Sequence, residues 1–199
     1  MSDPVRKRMT VDEFIAWAIE QPETEHYELL HGEVVAMAPE RVGHALMKAE
    51  VYARLRQAIE HAGLDCEAIP DGPLVQVDEY TGYEPDAVVR CGTPIEVNSY
   101  KVPDPIIVVE VLSPSTQHID TNTKLTDYFR IASLRHYLIV RLKPFAVTHY
   151  SRGDDGEVRV RLLPGGGTIA FDPPGFAIEL SQPPQAGSEA HWGRRDPLP

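Results

Sequence analysis

The chain has 199 residues, 42% hydrophobic and 25% charged, with a formal net charge of −11. That length suits one domain with a sizeable core, and the acidic balance argues against a broad nucleic-acid surface, which needs Lys and Arg to neutralise phosphates. No apolar run approaches the ~18 residues of a membrane span, and no apolar stretch follows the basic start MSDPVRKRMT, so neither a membrane protein nor a secretory signal is expected and the cytoplasm is the expected location.

Cys66 and Cys91 make neither a disulfide scaffold nor a zinc site, and read as ordinary small residues in or beside strands. Thr10 and Glu13 form a capping box that opens a short helix through Ala18. Residues 27–30 and 33–37 read as strands joined across His31-Gly32. A helix runs over about 44–62, with Leu46, Met47, Val51, Leu55 and Ile59 at helical spacing and Gly63 as its stop. Short strands follow near 66–69 and 74–77, turning at Asp71-Gly72-Pro73; 80–84 reads as loop and 86–90 as a strand.

Residues 105–115 form the central strand. Ile106, Val108 and Leu112 point to one side, and Ile107, Val109 and Val111 to the other, so layers are expected above and below it. Ser113-Pro114-Ser115-Thr116 ends this strand and offers caps for a helix over about 117–132. Residues 134–141 read as a strand, 146–150 and 158–163 as a hairpin, and 164–167 as a turn. No internal repeat is visible. The order predicts an α/β (α+β) domain over 1–180, a mixed central β-sheet flanked by helices, and a loosely ordered Pro/Gly-rich tail over 181–199.

Glu110 sits inside the central strand, where a lone buried carboxylate costs several kcal/mol unless paired, protonated or metal-bound. Asp86 follows Pro85 and starts the neighbouring buried strand. If the two strands pair, they lie about 4.8 Å apart, and two carboxylates that close favour a shared proton or a hard cation such as Mg²⁺. Lys124 lies about 10 Å along a helix that starts near 117. Glu110 lies about 10 Å back along the strand from Ser113. A helix folding back over its strand therefore brings Lys124 level with Glu110. Asp120, Lys124 and Tyr128 share one helical stripe. Glu28 in the first hairpin and His44 at the start of a helix are further candidates, each with a plainer reading as surface, cap or hairpin polarity.

The pattern YELLHGEVVAMAPE, a following His, EPDAVV, IIVVEVLSPST and D-x-x-x-K-x-x-x-Y resembles the Uma-type restriction endonucleases of the PD-(D/E)xK nuclease superfamily. The resemblance covers about residues 9–150 and implies a restriction-endonuclease-like core. It makes Asp86 the Asp of Pro-Asp, Glu110 the acid of (D/E)xK, Glu28 the upstream Glu and His44 the motif His. The superfamily lysine falls at Leu112; Lys124 on the next helix stands in its place. The implied activity is Mg²⁺- or Mn²⁺-dependent DNA cleavage. Asp86, Glu110 and the Val111 carbonyl would hold the metal, Lys124 would position water or stabilise charge, and Glu28 would bind a second metal or a metal-bound water. A homodimer is the implied assembly. Leu112 and the net charge also support a second reading: a catalytically inactive nuclease-fold protein that binds DNA or a partner protein. Hydrolysis of RNA or a small nucleotide is a third.

Overall fold

The structure is a computed structural model and describes residues 8–112 and 121–182. The chain order is α1 (Val11–Ala18), β1 (Tyr27–Leu30), β2 (Glu33–Ala36), α2 (Val42–Ala62), β3 (Cys66–Pro70), β4 (Val75–Asp78), β5 (Thr81–Tyr83), β6 (Ala87–Cys91), β7 (Pro105–Leu112), α3 (Thr121–Tyr128), β8 (His136–Leu142), β9 (Phe145–Arg152), β10 (Val158–Pro164), β11 (Gly166–Phe171) and β12 (Phe176–Ser181).

The local signals act as elementary chemistry requires. Thr10 accepts from the Glu13 backbone while the Glu13 side chain accepts from the Thr10 backbone, closing the capping box of α1. The β1–β2 turn takes positive φ at His31 (51°) and Gly32 (88°), the geometry that matches strand twist in a two-residue hairpin. Gly63 ends α2 in the left-handed conformation.

Six strands form a mixed sheet in the order β10-β9-β8-β7-β6-β3. Only the β7–β8 pairing in it is parallel, which requires a crossover, and α3 lies in that connection. A four-stranded sheet, β2-β1-β5-β4, and the β11–β12 ribbon complete the α+β fold. β7 is buried from both sides, as its apolar run requires. Ile107, Val109 and Val111 pack with Met47, Val51, Leu55 and Ile59 of α2 and with the β11–β12 ribbon. On the opposite face Val108 packs with Tyr83, Tyr128, Leu134 and Tyr137. Ile106 departs from the strict alternation and packs beside the α2 cluster. The β6–β7 register shifts at this end of the strand.

Four elements differ from the sequence expectation. Residues 81–83 form β5 instead of loop, because Gly82 pairs with both Leu29 and Gln76. β11 and β12 emerge where no strand was expected; the alternation that buries Phe176, Ile178 and Leu180 is plain once the ribbon has a core to face. α3 stops at Tyr128, four residues short of the expected end, as i→i−3 bonds from Arg130 and Ile131 tighten the chain into a turn. Cys66 and Cys91 are joined in a disulfide, because β3 and β6 pair with these two residues directly opposite each other. The caps at 113–116, the expected helix start at 117 and the tail beyond 182 lie outside the described residues. No helix among the described residues is long and apolar enough to cross a membrane.

Under the β11–β12 ribbon, His136 of β8 and His149 of β9 meet Phe171 edge-to-face. His136 Nε2–H donates to the Pro173 carbonyl at 2.8 Å, so in the neutral pair His149 Nε2–H donates to His136 Nδ1 at 3.0 Å. Burial lowers both imidazoles, and His149 falls to about 4 with His136 and Arg161 adding to the effect. Between pH about 4 and 6.5 the unfolded chain binds a proton at residue 149 that the native chain does not. Stability from this site is therefore complete above pH 6.5 and declines as pH falls through the window. Urea titrations at pH 7 and pH 4 should show His149→Gln retaining on the order of 3 kcal/mol more of its pH 7 stability than the wild type. Parallel pH profiles for the two proteins would exclude this role for His149.

Candidate active site

Three remote segments meet at Lys124. Glu28 lies in β1 of the four-stranded sheet, Glu110 in β7 of the six-stranded sheet, and Lys124 on α3. Lys124 Nζ donates to Glu28 Oε1 at 2.8 Å and to Glu110 Oε1 at 3.1 Å. One turn on, Tyr128 OH donates to the same Glu110 oxygen at 2.8 Å. The Glu84 backbone N–H donates to Glu28 at 3.0 Å, and Lys124 Nζ lies 5.0 Å from the centre of the Tyr83 ring. All three charges are buried. Burial raises Glu28 and Glu110 above the ordinary carboxylate range, partly offset by Lys124. Burial works to lower the Lys124 ammonium, but Glu110 and Glu28 outweigh it and hold the ammonium above its usual value.

Asp86 sits just before β6, with its backbone N–H on the Val109 carbonyl. Its side chain accepts from the Val111 N–H at 2.5 Å. It therefore lies one strand away from Glu110, and its charge adds to the upward push on Glu110. Burial raises Asp86 itself, offset in part by the Val111 N–H, Lys48 and His44. His44, in the first turn of α2, bonds through Nε2 to the Val111 carbonyl, faces Glu40 with Nδ1 at 3.1 Å, and lies 3.9 Å from Asp86 Oδ2. One turn further along α2, Lys48 is bonded to Glu40 and lies 2.5 Å from Asp71 and 3.3 Å from Asp86.

Among the described residues, Glu40, His44 and Asp86 present ligand atoms that all lie within 4.8 Å of one another. Two carboxylates, one imidazole and the adjoining Val111 carbonyl make an oxygen-rich donor set whose oxygens suit a hard divalent cation, the imidazole being its one softer ligand. Glu110 is turned toward Lys124 and Tyr128 and is not part of this trio.

The structure thus brings Glu28, Glu110 and Lys124 into contact and sets Asp86, His44 and Val111 beside them. Asp120 lies outside the described residues. Arg54 pairs with Glu50, Arg56 with Glu60, Arg130 with Asp78 and Asp127, and Lys101 with Asp12, so these basic side chains are already engaged by acids. Glu40, Lys48 and Asp71 escaped the sequence search for site residues, and Tyr128 entered it only as a member of the Lys124 stripe, without a role. Lys48 had a signal: it falls four residues after His44, on the same helical stripe, directly after the buried Met47. Glu40 and Asp71 sit outside regular elements, where no periodicity marks them.

The mixed sheet thus carries one buried acid on β7, a second just before the adjacent β6, and a lysine from the following helix bonded to the first. The family model Uma2, "Putative restriction endonuclease", matches residues 11–185, and the chain belongs to this family. It is 26% identical over 151 residues to the uncharacterized protein slr1290 of Synechocystis sp., covering 75% of this chain and 77% of that one. It is 25% identical over 138 residues to sll1609 of the same organism, covering 68% and 77%. Among solved structures, the crystal structure of "a putative nuclease belonging to DUF820" from Anabaena variabilis superposes with a TM-score of 0.62 at 16% identity, covering 83% of this chain and 90% of that one. That likeness shows the shared fold.

Removing the Lys124 charge leaves two buried carboxylates facing each other. Lys124→Met should cost about 3–5 kcal/mol in urea denaturation, and Glu110→Gln on that background should recover part of the loss. A Lys124→Met protein as stable as wild type would show that the ammonium does not hold these segments together.

Proposed function

We propose that this chain is a Mg²⁺- or Mn²⁺-dependent endonuclease that hydrolyses DNA phosphodiester bonds in the cytoplasm. The observation that carries the reading is Lys124 Nζ at 3.1 Å from Glu110, one strand from Asp86. The lysine absent at Leu112 is supplied by α3. Asp86 and the Val111 carbonyl would hold the metal, with Glu40 and His44 beside them and Glu110 across the strand. A metal bound there supplies Lewis acidity to the scissile phosphate and lowers the pKa of a bound water. His44 and the Val111 carbonyl orient each other, and the Val111 N–H fixes the Asp86 carboxylate. Lys124 would supply positive charge beside Glu110 to offset negative charge developing on an attacked phosphate. Glu28 and Tyr128 hold the Lys124–Glu110 geometry from two sides.

Asp86→Ala and Lys124→Ala should each abolish Mg²⁺-dependent cleavage of plasmid DNA, with folding checked by circular dichroism. Unchanged cleavage in both proteins would overturn the assignment. Leu112 and the acid-paired Arg54, Arg56, Arg130 and Lys101 favour the second reading, a non-catalytic module on the nuclease fold. Plasmid left intact by the wild type, with calorimetry showing no divalent cation bound at millimolar concentration, selects that reading.

A homodimer fits the β10 edge. β10 is an edge strand among the described residues, with Val158, Val160 and Leu162 exposed on one face. Antiparallel pairing of two copies about Val160 sets Val158 beside Leu162; on the other face it sets Arg159 opposite Arg161 of the second copy, with Glu157 diagonal to that arginine to offset the repulsion. Sedimentation should show a dimer that Val160→Lys converts to monomer; a wild-type monomer at all concentrations tested excludes this interface.

A further inference from the structure

Lys48 is a buried charge at the Asp86 pocket that the proposed mechanism leaves unused. α2 delivers it from the helix face that carries His44, four residues earlier, into the Asp86 pocket. Its ammonium is bonded to Glu40 and lies 3.3 Å from Asp86 Oδ1 and 2.5 Å from Asp71 Oδ2. Glu40 and Asp86 are two of the three residues with metal-ligating spacing. An ammonium and a divalent cation therefore seek the same oxygens. Asp71 stands outside that trio, in the turn after β3, and is more exposed than Asp86. It gives the ammonium a partner that a metal at the trio does not use.

Charge balance points the same way. Three carboxylates surround Lys48, so the pocket keeps an excess of negative charge that one ammonium does not neutralise. Lys124 does not share in this balance, since its carboxylate partners are Glu28 and Glu110.

We infer that Lys48 is a tethered counter-cation that holds Asp86 in the metal-free protein and that a divalent cation must displace from Asp86 to bind. The inference rests on reading the Asp86 pocket as the metal site. Lys48 is here a positioning residue that sets metal affinity. An ammonium that served only to stabilise α2 against β6 would leave that affinity unmoved.

The test is Mn²⁺ binding to the full chain, read from the free-ion electron paramagnetic resonance signal and by calorimetry, with no nucleic acid present. Lys48→Met should bind Mn²⁺ about tenfold or more tighter than wild type, and Lys48→Arg should stay near wild type. Asp86→Asn on the Lys48→Met background should abolish the tight binding, locating the ion. Lys48→Gln carries the same measurement if the methionine protein does not fold. Mn²⁺ affinity that is lost with Asp86→Asn but equal in wild type and the Lys48 variants overturns the role of Lys48 and leaves the metal site standing. Absence of Mn²⁺ binding in every protein, or tight binding that survives Asp86→Asn, overturns both.

Discussion

The Lys124 ammonium, held between the carboxylates of Glu28 and Glu110, is the interaction on which the rest of the structure depends. Glu28 belongs to the four-stranded sheet and Glu110 to the six-stranded one, so the triad ties the two sheets through α3. A buried ion pair adds little net stability, because desolvation consumes most of its Coulombic gain. Its hold on the fold comes from the reverse case: with the lysine missing, its two carboxylates are left together in an apolar layer. Tyr128 deepens this dependence. It caps Glu110 while its ring packs against Tyr83 and Tyr137, so the polar contact and the aromatic core share one side chain.

The charged centre divides into two halves on either side of β7. Toward α3, two acids and one lysine sit buried in an aromatic surround. Toward α2, Asp86, Glu40 and Asp71 gather around Lys48 with His44 at the rim, and the half is more acidic than its single lysine can balance. Backbone links the halves, since the Val111 N–H holds Asp86 and its carbonyl takes His44, while the neighbouring Glu110 side chain turns to Lys124. The Val111 N–H and carbonyl lie in the plane of the sheet, whereas the Glu110 side chain stands out from its face, so one short run of β7 serves both halves. Local rules that favour apolar residues are broken here because the site needs charge where the core needs none.

Much of the fold was legible in the residues. The capping box of α1, the His31-Gly32 hairpin, the apolar stripe of α2 and the doubly buried β7 follow from short-range periodicity and stereochemistry, and each stands where those rules put it. β5, β11 and β12 were not legible. Their strands are short or flanked by Gly and Pro, and they exist because partners elsewhere in the chain offer edges and a core to face. The Cys66–Cys91 bridge is of the same kind, since spacing says nothing about which residues stand opposite one another across two strands.

For the charged centre, the sequence by itself determined that Glu110 needed a partner, because apolar neighbours on both sides leave a carboxylate no water. Rise per residue predicted Lys124 level with it from a helix start near 117, which lies outside the described residues; the predicted contact itself is present, with Lys124 Nζ 3.1 Å from Glu110. Only the tertiary structure decided that Glu28 shares that lysine and that Lys48, Glu40 and Asp71 gather at Asp86. Those contacts join residues from separate sheets, helices and turns. Periodicity reports which face a side chain takes, whereas the packing of whole elements chooses what it meets there.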